Sequence, residues 1–122
     1  MKNKIVCSLL TFACLFSFNI NAAEETRQMT QEEYQMISQA SAEHMYCMDE
    51  SSIKQLETQT DIRVIADHAM KDCAPILEKL YNSLVEIDYA PEASGNIVSS
   101  ISNKAANKVL SRLMMFMAGR GQ

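Results

Sequence analysis

The chain has 122 residues, 48% of them hydrophobic, with 11 basic and 15 acidic side chains and a formal charge of −4. A chain of this length builds one modest core, and the two prolines and three glycines leave few break points and no convincing internal repeat. The acidic balance, and the lack of aromatic residues within the basic stripe of Lys104, Lys108 and Arg112, argue against a nucleic-acid surface.

Lys2 and Lys4 precede an apolar stretch from Ile5 to Ile20, followed by the small residues Ala22 and Ala23. This reads as a secretory signal peptide over residues 1–22, and the run is a little short for a membrane span. Thr11, Phe12 and Ala13 make a poor lipobox ahead of Cys14, so cleavage by a general signal peptidase near Ala22 is the expectation. Residues 23–122 then form a single helical domain that is periplasmic or secreted. Removal of the leader also removes Cys7 and Cys14 and leaves Cys47 and Cys73, an even pair suited to an oxidising compartment.

The midpoint of those two cysteines falls in Thr58, Gln59, Thr60 and Asp61, residue types that favour turns and helix N-caps. Helices entering and leaving that run antiparallel bring Cys47 opposite Cys73, a hairpin over 30–88 stapled by one disulfide. The first helix should begin at Thr30, with Glu33 completing a capping box. Tyr34, Ile37, Ser41, His44 and Met48 form its expected buried stripe, and Ile53 and Leu56 resume it. The polar run from Asp49 to Ser52 threatens to break the helix between.

In the second helix Ile62, Ile65, Ala69, Cys73, Ile76, Leu80, Leu84 and Ile87 recur at three and four residues. Pro75 lies inside this pattern and should kink or restart the helix. A loop is expected over 89–96 from Pro91 and Gly95. A basic amphipathic helix over 97–118 follows, with Ala105, Ala106, Val109, Leu110, Leu113 and Met117 on its apolar arc. The fold class is therefore all-α, a small bundle of three or four helices.

Charge divides along the chain. From Ala93 onward the basic residues are Lys104, Lys108, Arg112 and Arg120, with no acidic one among them; the body before it is strongly acidic. Lys104, Lys108, Arg112 and Phe116 are the candidate contact residues, for a protein partner or peripherally for an anionic membrane.

Histidine, methionine and cysteine cluster at 44–48, and imidazole with thioether suits a soft ion such as copper; His44, Met45 and Met48 are the candidate ligands. Catalytic signatures are missing. Asp67, His68 and Asp72 place carboxylates beside an imidazole, yet no Gly-framed serine, His-Glu-x-x-His, Cys-x-x-Cys or phosphate-binding glycine loop appears. Ser99 and Ser100 read as ordinary helical residues. The expectation is a non-enzymatic binding module of chaperone-like or inhibitor-like kind, without a cofactor, with copper binding and membrane association as the alternatives.

Overall fold

A computed structural model describes residues 28–121, and the expected signal peptide over 1–22 lies outside them. Three helices follow in order: α1 (Gln31–Gln55), α2 (Ile62–Glu86) and α3 (Pro91–Arg120). No strand occurs among the described residues, and none of their helices is long and apolar enough to cross a membrane.

α1 begins where its capping box requires. The Thr30 hydroxyl accepts from the Glu33 amide at 3.2 Å, and the Glu33 carboxylate accepts from the Thr30 amide at 2.8 Å. The helix then continues unbroken through Asp49–Ser52. The reason is that Ser51 and Ser52 are buried with partners: Ser51 donates to Asp72 Oδ2 of α2 at 2.7 Å, and Ser52 donates back to the Met48 carbonyl at 2.6 Å. Two residues of the expected stripe are on the wrong side. Tyr34 and Ile53 are exposed, while Glu33 occupies the buried position in the first turn.

Asp61 caps α2 by accepting from the Arg63 amide, and Gln59 Oε1 accepts the amides of Thr60 and Asp61, which fixes the turn between the first two helices. Cys47 and Cys73 are bonded, their Cα atoms 5.8 Å apart, and the hairpin is stapled as its numbering requires. α2 runs through Pro75 as one helix instead of restarting there. Pro75 is exposed, so the carbonyl its missing N–H leaves without a helical bond lies on the solvent side.

The α2–α3 connection is far shorter than the loop expected over 89–96. Asp88, in the left-handed region at φ 66°, ends α2 in a Schellman arrangement: the Tyr89 amide donates to the Leu84 carbonyl and the Asp88 amide to that of Val85. Tyr89 also packs against the cluster that contains Leu84. Pro91 then opens α3 at its first position, where its fixed φ and absent N–H do no harm. Gly95 sits inside the helix without ending it, so α3 covers Pro91–Arg120 and not 97–118.

α3 lies along the hairpin with Ala105, Val109 and Leu113 of the expected apolar arc buried, while Ala106, Leu110 and Met117 are half-buried. The core divides into two layers. One gathers Met48, Ile65, Ala69, Cys73, Ala105, Val109 and Leu113; the other gathers Leu77, Leu80, Leu84 and Ile101 with Ile37 and Ala40 at its edge.

Candidate functional site

Where α1 ends, α3 runs beside it, and the two helices leave a cleft of about 610 Å³. Its lining includes Ile53 and Leu56 from α1 and Val109, Leu113 and Phe116 from α3. Ile53 is 66% exposed and Phe116 43%, and Met114 and Met115 extend exposed apolar surface along the same end of α3. Isolated exposed apolar residues are ordinary, whereas several around one concavity mark a contact surface.

Charges frame the cleft unevenly. Arg112 crosses it to bond Asp49 of α1. Arg120 lies with its guanidinium carbon 4.5 Å from the centroid of the Phe116 ring, a cation–π contact that holds the ring in place. Asp49 and Glu57 stand on the α1 wall, and Arg112 and Arg120 on the α3 wall. Being exposed, the Arg112–Asp49 pair adds only about 0–1 kcal/mol to stability, so its role is to shape the cleft rather than to hold the fold.

The four contact residues expected from sequence divide between two places. Phe116 and Arg112 belong to this cleft. Lys104 and Lys108 instead border a shallower groove between α1 and α3, lined also by Tyr34, Ser38, Ser41 and Met45. Ile53 and Leu56 were not among the sequence candidates for contact. The sequence sets both on the buried stripe of α1, and only the packing of the helices shows Ile53 exposed.

His44, Met45 and Met48 are not brought together as one ligand set. His44 lines a groove between α2 and α3 with Met70, Ala74 and Leu77, whereas Met45 opens onto the groove between α1 and α3. Met48 is fully buried in the core. Among the described residues no three His, Cys, Asp or Glu side chains gather where they could hold one ion. Burial holds the pKa of His44 below its ordinary value.

His68, Asp72 and Ser51 form a chain with the carboxylate in its middle. His68 Nδ1 lies 3.1 Å from the same Asp72 oxygen that accepts from Ser51. The imidazole is therefore not aimed at the serine hydroxyl, which a nucleophile–base pair would require.

No protein-family model, characterised protein or solved structure matches this chain. The disulfide between α1 and α2 fits an oxidising compartment outside the cytoplasm.

Proposed function

We propose that this is an exported, non-enzymatic protein-binding module that seats an acidic amphipathic segment of another protein in the cleft between α1 and α3. The observation that carries the reading is the convergence of exposed Ile53 and Phe116 on one apolar concavity with Arg112 and Arg120 along its α3 wall. An amphipathic helix lays apolar side chains into such a groove, and its carboxylates meet the arginines at the rim. The leader-like residues 1–22 and the disulfide, which suits an oxidising compartment, support export to the periplasm or secretion.

A bilayer fits this site less well. The cleft is concave between two helices, whereas a bilayer offers a flat interface for a helix to lie in.

The test uses two synthetic amphipathic helical peptides with the same apolar pattern, one carrying Glu and the other Lys on its polar face. Fluorescence anisotropy should show the acidic peptide binding the oxidised protein and the basic one failing. Ile53→Asp and Phe116→Asp should each weaken binding about tenfold or more, as central apolar anchors do. Equal binding of both peptides, no binding of either, or sedimentation with phosphatidylglycerol vesicles in place of peptide binding would each reject the reading.

A further inference from the structure

His44 is 1% exposed, and its Nδ1 is sealed from water without a hydrogen-bond partner. An unpartnered polar atom in a core is costly, and a charged one far more so. The ring also marks the level at which the core divides. On α1 it separates Met48 from Ala40 and Ile37; on α2 its groove runs past the step from Cys73 to Leu77, and on α3 it ends between Ile101 and Ala105.

A proton added here meets little compensation. In the groove α2 presents Glu78 and Tyr81, while α3 presents only the uncharged Ser99, Ser102 and Asn103. Glu43 adjoins His44 on α1 but is exposed, and Lys104 and Lys108 of α3 border the other groove. Among the described residues none of these carboxylates pairs with the imidazole.

The connectivity decides which helix yields. Cys47, one turn beyond His44, ties α1 covalently to α2. α3 has no covalent tie besides the short turn after Ile87, and is otherwise held by packing, the exposed Arg112–Asp49 pair and the Tyr89–Glu33 bond at its start. We propose that His44 is an acid-sensitive latch for α3: charging its imidazole drives α3 off the disulfide-bonded α1–α2 hairpin while both hairpin helices persist.

Opening uncovers the inner faces of Leu77, Leu80, Ala105 and Val109 and dismantles the cleft that α1 and α3 share. The latch does not depend on what the cleft binds. Its sign follows from linkage. Because burial lowers the folded-state pKa of His44, the open state takes up the proton first. The closed state is therefore at full strength above about pH 6.5, and it weakens as pH falls from there toward the folded value. Each unit by which the pKa is lowered changes the opening equilibrium about tenfold.

Hydrogen exchange on the oxidised protein at about pH 7.5 and about pH 5, corrected for intrinsic rates, tests this above the range in which carboxylates titrate. Amides of α3 should lose about tenfold protection or more at the lower pH, while α1 and α2 keep theirs. His44→Gln should remove that pH dependence, and His68→Gln, at an exposed imidazole, should leave it intact. Unchanged α3 protection in the wild type, equal loss in all three helices, or the same loss in His44→Gln would each overturn the latch. Should His44→Gln fail to fold, the imidazole titration of the wild type decides. A His44 titration at or above about 6.5 overturns the proposal; one below it, shared by α3 signals, upholds it.

Discussion

The hydroxyl of Tyr89, in the turn between α2 and α3, donates to Oε2 of Glu33 in the first turn of α1, 3.1 Å away and 56 residues apart in sequence. The same carboxylate oxygen caps the Thr30 amide. One side chain thus starts the first helix and anchors the turn that launches the third. Tyr89→Phe should lower stability by about 1 kcal/mol, an ordinary value for a partly buried hydrogen bond. Glu33→Ala should cost about 2 kcal/mol, because the capping box is lost as well. Urea denaturation checks both, and equal losses for the two variants would show that the Tyr89 bond carries all of the effect.

Asp88 holds the left-handed conformation that ends α2, with φ at 66°. Glycine reaches that region without strain from Cβ, so Asp88→Gly should stabilise the domain by about 0.5–1 kcal/mol, and Asp88→Val should destabilise it. Thermal unfolding monitored by circular dichroism would show the two midpoints moving in opposite directions. A drop in midpoint for the glycine variant would mean that the Asp88 side chain itself supports the turn.

The Cys47–Cys73 bond closes a loop with a sequence separation of 26. In the chain-entropy model such a closure adds about 3.5 kcal/mol. That is a large share of what a domain of this size has in total. Denaturation with and without reductant should show a loss of that order. Reduction should also let α1 and α2 separate, so the acid response of α3 alone should give way to unfolding of all three helices together.

Much of the architecture was legible before any coordinates. Thr30 with Glu33 announced a helix start, the run around Asp61 announced a bend, and two cysteines equidistant from that bend fixed the register of the hairpin. These are local or one-dimensional signals: a cap needs only its own neighbouring amides, and an antiparallel pair needs only a midpoint. The apolar spacing of α2 likewise named its buried face, because burial along a helix repeats with its turn.

The tertiary structure decided what the local signals left open or pointed the wrong way. Ser51 and Ser52 look like a break in the sequence, but Asp72 across the hairpin and the Met48 carbonyl give their hydroxyls partners, and α1 continues. Pro91 and Gly95 look like a loop, but Pro91 sits where a helix tolerates it and packing of Ile97 and Val98 outweighs the roughly 1 kcal/mol that an interior glycine costs. Tyr34 and Glu33 are adjacent in sequence and differ in hydropathy, yet the hydrogen bond from Tyr89 selects Glu33 for the inside. The cleft and the buried imidazole belong to the same class: each is made by side chains from separate helices, and nothing in the chain's own periodicity encodes which faces will meet.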